Sequence, residues 1–340
     1  MGFRVLYHLN TANLNGVAEE AAWAESMGYD GLCTEDAAHD PMLPLMMAAS
    51  TTSRVTLEPR VAIAFPRSPM VLAYAARDLQ EYSGGRFRLG LGSQVKGHIQ
   101  RRFSTEWTAP GPRMREYVQS LRAIWEAWQT EGRLAYHGEH YNFSLMTPFF
   151  SPGKSNQPPP PVFISAVNPY NCRVAGEVCD GIALHPITSP KYLKEIIKPS
   201  IADGAARAGR DPSMVNLSSS AFVVTGSNQA AINANKEGVR KQIAFYCSTR
   251  SYSKVLEVQG FQDLGLWLHE MSLKQQWDQM TDLITDEILD AFAIVGGYSE
   301  IPTLMKERFD GQLHEVVFNS GGPGSADETE IRKVIEGLQR

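Results

Sequence analysis

The feature that most constrains this chain is an alternation. Eight short runs of apolar and β-branched residues (Phe3–Leu9, Gly31–Glu35, Val55–Ile63, Phe87–Gly92, Val162–Ala166, Gly181–His185, Leu217–Thr225 and Glu315–Asn319) are separated by longer stretches with helical period. The clearest helix places Met114, Tyr117, Val118, Leu121, Ile124, Trp125 and Trp128 on one i, i+3, i+4, i+7 stripe. Ser68-Pro69, Asn168-Pro169 and Ser189-Pro190 each put a capping residue ahead of a proline suited to the first helical position. Strands that take turns with helices run parallel, in a doubly wound sheet or a closed barrel. Eight such units favour the α/β class with a (β/α)8 barrel of TIM type.

Three stretches break the pattern. Arg133–Phe143 reads as a hairpin turning at Gly138, Leu145–Pro161 as a proline-rich loop, and Arg250–Ala291 as extra helix between strands seven and eight. The alternation resumes unchanged after Pro158–Pro161, so the expectation is one barrel domain over residues 1–340. Its insertions fall at about 131–160, after the fourth helix, and at 250–291.

Composition excludes several classes. Hydrophobic residues make up 43% and charged residues 20% of the chain, which suits a globular protein rather than a disordered one. With a net charge of −5 and no long basic run, the footprint of a nucleic-acid partner is missing. The densest apolar stretch, Met42–Ala49, is too short to span a bilayer. Met1-Gly2-Phe3-Arg4-Val5 leads straight into a strand-like run without the pattern of a signal peptide, so a cytoplasmic protein is expected. Cys33, Cys172, Cys179 and Cys247 form no CxxC pair and read as reduced, buried thiols rather than disulfides or zinc ligands.

Gly90-Leu91-Gly92-Ser93-Gln94 follows a strand like the start of a dinucleotide fingerprint. Val95 stands where the third glycine belongs, and no acidic residue ends a strand at the ribose-binding distance, which speaks against a nicotinamide site. What remains is a glycine-lined strand end that either lets a flat ring or phosphate approach or merely eases a turn. Ser165-Ala166-Val167-Asn168-Pro169 runs from a strand into a helix N-terminus, which serves either as a phosphate site or as an ordinary cap. His137-Gly138-Glu139-His140 flanks a glycine turn without helical metal spacing and reads as a solvated hairpin tip, and no metal is expected. His314 sits ahead of the last strand, at the stability end of a barrel. His39 and His185 lie instead just past or at strand C-termini, where barrel active faces form, together with Glu35, Asp36, Arg60 and Gln94. Lys96, His98, Arg101 and Arg102 make a local positive cluster suited to a solvated helix face or to an anionic cofactor tail.

Several segments together resemble the bacterial luciferase-like family of flavin and deazaflavin enzymes. They are Arg60–Arg67 running into Ser68-Pro69, Ser83–Ser93, Ala175-Gly176-Glu177 with Asp180-Gly181, and Ile294-Val295-Gly296 followed by a helix and Glu315–Phe318. The matches span essentially the whole chain, and Gly92-Ser93-Gln94-Val95-Lys96-Gly97-His98 looks most like members that use the deazaflavin coenzyme F420. The resemblance implies an eight-fold barrel with an insertion near strand seven and a cofactor ring over the strand C-termini. It also implies a non-proline cis peptide at Arg60–Val61 that backs the ring, and a cofactor phosphate at Ser165–Asn168. Relatives commonly form dimers, so a homodimer is expected. One position departs from the pattern: hydride-transferring relatives often carry Asp-His at the end of strand two, and here Asp36 is followed by Ala37.

The resulting expectation is an oxidoreductase that exchanges a hydride between F420 and a small organic substrate. His39 is the first candidate for the proton, Asp36 its orienting partner, and His185 the second candidate. The expected cofactor contacts are Arg60, Val61, Ala62, Gly92, Ser93, Gln94, Lys96, Ser165, Ala166, Val167 and Asn168. Two alternatives stand beside this reading: an FMN-dependent monooxygenase on the same fold, and a barrel-derived binding protein without turnover.

Overall fold

In the computed structural model, which describes residues 2–309 and 311–340, the eight expected strands are present and parallel. They are β1 (Arg4–His8), β2 (Gly31–Thr34), β3 (Thr56–Pro59, continued at Ala62–Ile63), β4 (Leu89–Gly92), β5 (Val162–Ser165), β6 (Gly181–Leu184), β7 (Asn216–Ser219) and β8 (Glu315–Val317). β1 pairs with β2 through Leu6–Gly31 and with β8 through Leu6–Val317, and pairing continues from β8 through β7, β6 and β5 to β4. The ring closes through β3. Its first half pairs with β2 and reaches the β4 segment by a bridge from Leu57 to Phe87, while its second half pairs with β4 at Ala62–Leu91 and Ile63–Gly92. This is the expected (β/α)8 barrel.

The break in β3 shapes the neighbouring strand. The Arg60–Val61 peptide is cis, as the resemblance implied. A Cβ at Gly90 would strike the Pro59 carbonyl, and one at Gly92 would strike a Val61 methyl. Both glycines are therefore required by the wall of β3, which is the structural side of the alternatives open for that motif.

Strand seven differs from the expected Leu217–Thr225. It stops at Ser219, and Phe222–Val224 leaves the barrel to pair with Ala293–Val295, a strand absent from the sequence reading. Ser218 and Ser220 hold the Arg60 guanidinium inside the barrel at this break, while the second half meets the chain as it returns from the 250–291 insertion. That insertion forms helices Ser253–Gln259, Gln262–Leu273, Trp277–Asp282 and Asp286–Phe292. The hairpin pairs Tyr136–His137 with Asn142–Phe143. At its tip the Glu116 carboxylate accepts the N–H groups of Glu139, His140 and Tyr141 at 3.0, 2.8 and 3.2 Å, which accounts for the grouping of Glu116, Glu139 and His140 without an ion.

Apolar side chains from the outer strand faces pack against the helices in one continuous core. The barrel interior is different. A small apolar layer of Leu6, Cys33 and Val317 lies above a charged one. There Arg88 grips Glu315 at 2.7 and 3.0 Å and Glu58 at 2.7 Å, with Arg4 on Glu315 at 3.1 Å and Arg60 on Glu58 at 3.5 Å. All four cysteines are buried free thiols, pushed up to about 12 by burial. Among the described residues no helix is long and apolar enough to cross a membrane.

Candidate active site

Counting by twos along the strands from the interior layers leads to the mouth of the barrel. Leu6, Cys33 and Val317 face inward together, so His8, Glu35 and Asn319, two residues further along each chain, point over the barrel axis. Ser165 and His185 end the inward rows of β5 and β6. These side chains line a cleft across the C-terminal ends of the strands, the face where barrel enzymes place their sites.

The cleft has three adjoining compartments. One of about 440 Å³ is walled by Val61, Gly92, Ser93, Gln94, Lys96, Ser165, Val167, Asn168, Asn171 and Tyr252. The next, about 630 Å³, has His8, Arg60, Val61, Ser165, His185, Tyr246 and Asn319 on its walls. The outer one, about 820 Å³, runs from Tyr7 and His8 past Glu19, Glu20 and His39 to Asn319 and Gly321. Val61 and Ser165 border the first two, His8 and Asn319 the last two, and Glu35 all three. Each is of a size that holds a ring system or a small substrate.

At the first compartment the helix Pro169–Val178 is capped by Asn168, whose Oδ1 accepts the Asn171 N–H at 2.9 Å. Pro169 brings no N–H, so the polar groups facing this end are chiefly side chains of Ser165, Asn168 and Asn171. Lys96 starts the short helix Lys96–Arg101 on the opposite edge. Gln94 adopts a left-handed conformation (φ 56°), and its Oε1 accepts the Val95 N–H at 2.9 Å. The Arg102 guanidinium donates to the Ala37 carbonyl and lies 4.8 Å over the Phe103 ring, tying the loop after β4 to the loop after β2.

Not every expected contact faces the cleft. Ala166 is buried in the outer core, Ala62 is fully buried, and neither lines the cleft. Arg60 borders the two inner compartments, but its guanidinium donates to Ser218 Oγ at 2.8 Å and to the Ser218 carbonyl at 3.2 Å and is committed to the barrel interior. The expected Asp36–His39 pair is corrected. Asp36 accepts the Ile63 N–H at 2.9 Å and Arg67 at 2.6 Å, and Arg67 also binds Asp40 at 3.1 Å. The carboxylate locks the loop after β2 onto β3 instead of orienting an imidazole. His39 stays exposed on the outer compartment. The sequence shows Asp36 and His39 three apart but not the direction in which Arg67, from another loop, pulls the carboxylate.

His185 does reach the cleft. Its ring packs edge-on to Tyr246 at 4.5 Å and tilts against Tyr252 at 4.6 Å, with Nδ1 accepting the Ile187 N–H at 3.4 Å. Burial lowers its pKa to about 4, which keeps it neutral, and the bond accepted at Nδ1 leaves the ring proton on Nε2. The sequence reading overlooked His8. The Asn319 side chain pins its backbone at both ends, accepting from His8 N–H at 2.6 Å and donating to its carbonyl at 3.1 Å. Burial lowers the His8 pKa, opposed by Glu35, while Arg60 lowers it further and Glu20 raises it. The signal was available: His8 follows Leu6 by one period on an inward-facing row. Tyr246 and Tyr252 come from the 229–252 region, which no strand count places over the mouth.

A closed parallel barrel with a polar, titratable cleft on its C-terminal rim defines the chain as a barrel protein of the enzyme-bearing architecture. Its residues 2–315 match the model of the luciferase-like monooxygenase family, and the chain belongs to that family. It is 45% identical over 300 residues to an uncharacterized protein of Mycobacterium tuberculosis, covering 88% of each chain. A 5,10-methylenetetrahydromethanopterin reductase of Archaeoglobus fulgidus is 27% identical over 323 residues, covering 92% of this chain and 91% of the reductase. The fold is similar to that of the coenzyme F420 dependent tetrahydromethanopterin reductase from Methanopyrus kandleri, with a TM-score of 0.77 at 18% identity over 100% of this chain and 98% of that one.

Proposed function

We propose that the protein is an F420-dependent oxidoreductase that exchanges a hydride with a small organic substrate. The observation that carries this reading is the shared wall of the two inner compartments. Val61 and Ser165 border both the chamber lined by Asn168 and Lys96 and the chamber lined by His8 and His185. A flat ring resting on Val61 thus faces the histidine-lined space directly. The donor set fits a phosphorylated ring cofactor: Ser93, Ser165, Asn168 and Asn171 offer neutral hydrogen-bonding groups, and Lys96 supplies a cation at the open edge. Arg101, exposed on the helix that Lys96 begins, extends this positive edge toward an anionic tail.

A deazaflavin, when bound, supplies a two-electron hydride carrier. The protein's share is to hold the substrate carbon at contact distance, exclude water with Tyr246 and Tyr252, and manage one proton. Similarity to the F420-dependent reductases supports this choice. An FMN monooxygenase is favoured by a different observation, Ala37 in place of the histidine that hydride-transferring relatives carry.

Titration of the purified protein with F420 and with FMN, followed by fluorescence, separates the two. F420 is expected to bind more tightly. Tighter FMN binding, or FMN copurifying in stoichiometric amount, overturns the proposal in favour of the monooxygenase. Turnover of any alcohol or enone with F420 disposes of the reading as a binding protein without chemistry.

A further inference from the structure

We infer that His8 is the group that takes the substrate's proton and that Glu35 is its positioning carboxylate, a pair assembled from two strands in place of the sequential Asp-His that the chain lacks. The inference rests on the oxidoreductase reading above. Three histidines border the cleft, and two are poorly suited. His39 is exposed in the outer compartment with no bond to Asp36. His185 has Nδ1 engaged and two tyrosine rings against it, and burial holds it neutral down to about pH 4. It can donate a hydrogen bond but does not readily take up a proton near neutrality.

His8 is buried too, but it differs in position and in the carboxylates that face it. It stands in the wall between the middle and outer compartments, so one face meets substrate and the other a route to solvent. Its backbone is fixed by Asn319, and its ring is bonded only to the adjacent Leu9 backbone among the described residues. In the parallel register His8 lies beside Cys33, which sets Glu35, two residues on, along the same inward row. Glu35 has no hydrogen bond or ion pair among the described residues, and it borders every compartment. Glu20, the other carboxylate near His8, is already held by the Tyr7 hydroxyl at 2.7 Å and the Asn10 N–H at 3.0 Å. The groups facing His8 are thus Glu35 from β2, Glu20 from the helix Leu14–Met27 and Arg60 from β3, with His185 and Tyr246 across the middle compartment. Burial and Arg60 leave the imidazole neutral and able to act as a base, while the Glu35 charge stabilises the imidazolium as it forms.

An alcohol substrate loses a hydride from carbon and a proton from oxygen. The carbinol C–H bond breaks and its electron pair leaves with the hydrogen to F420. The O–H bond breaks toward a ring nitrogen of His8, and its electron pair becomes the second bond of the carbonyl. The proton on His8 then passes to water through the outer compartment. In the reducing direction His8 returns the proton to the oxygen.

The test has two arms. In the cofactor-free protein, the His8 ring is titrated by NMR in the wild type and in Glu35→Gln. Loss of the carboxylate is expected to lower the proton affinity of His8 by about threefold or more, and an unchanged midpoint overturns the pair. In the loaded enzyme, His8→Ala is expected to reduce kcat by about 10² or more with F420 affinity within a few-fold, and added imidazole restores part of the rate. In Glu35→Gln the limb of the kcat/KM pH profile moves to lower pH with the His8 midpoint. A His8→Ala enzyme within threefold of wild-type kcat overturns the assignment. If the wild type turns over no substrate with F420, the oxidoreductase reading fails, and the NMR midpoint still decides whether the pair exists.

Discussion

Arg88 stands at the centre of the charged layer inside the barrel, and its removal tests whether that layer holds the fold together. Arg88→Met keeps most of the side-chain volume and deletes three short contacts, at 2.7 and 3.0 Å to Glu315 and 2.7 Å to Glu58. Stripping one partner from a buried ion pair costs about 3–5 kcal/mol, because the remaining charge is left without compensation. Arg4 still reaches Glu315 at 3.1 Å from the half-exposed rim, and Arg60 lies 3.5 Å from Glu58, so the lower end, about 3 kcal/mol, is expected. An unfolding entropy of roughly 2.1 cal/mol/K per residue over 340 residues converts this to a fall in Tm of about 4 °C.

The pH dependence makes the prediction specific. Burial works against the Glu315 carboxylate, yet Arg88 and then Arg4 hold its pKa below the usual range. In the wild type this stabilisation is present above the unfolded-state pKa and is lost as the pH falls through the folded one. Without Arg88 the burial effect prevails and the carboxyl titrates higher, so protonation relieves the variant before it harms the wild type. The deficit measured by calorimetry is therefore expected to be smaller at pH 5 than at pH 8, and Arg88→Met/Glu315→Gln recovers more than half of it. A deficit under about 1 kcal/mol, or one equal at both pH values, refutes the reasoning.

Asn168→Asp retains a good N-cap and should leave Tm nearly unchanged while weakening F420 binding, because the new charge repels an anion at the same helix end. Unchanged affinity would place the phosphate elsewhere. His185→Phe should flatten the acid limb of the stability curve. The unfolded chain protonates this histidine near its ordinary 6.5 and the folded one only at about 4, so the wild type loses on the order of 3 kcal/mol between those values as the pH falls. Denaturation midpoints for the two proteins that run parallel from pH 7 to pH 4 would show that burial does not depress the group. His39→Ala should keep turnover within twofold, since the ring is exposed and unsupported by Asp36. A hundredfold loss in steady-state assays would return the proton to His39.

The strand alternation, the proline-headed helix starts and the period-two rows are local properties, and they sufficed for the barrel and its eight strands. The family resemblance, carried by short contiguous segments, extended this to the break at Arg60–Val61. What the chain alone left undecided depends on contacts between distant segments. Arg67 draws Asp36 away from His39, and Ser218 draws the Arg60 guanidinium into the barrel interior. Phe222–Val224 departs the barrel only because Ala293–Val295 returns beside it after the long insertion. His8 and Glu35 share no sequence motif, and only the register of β1 on β2 makes them neighbours. The inward-facing period is written in each strand, but which inward residues meet is set by the relative shift of the strands. That shift is fixed when the ring closes, and no single segment carries it.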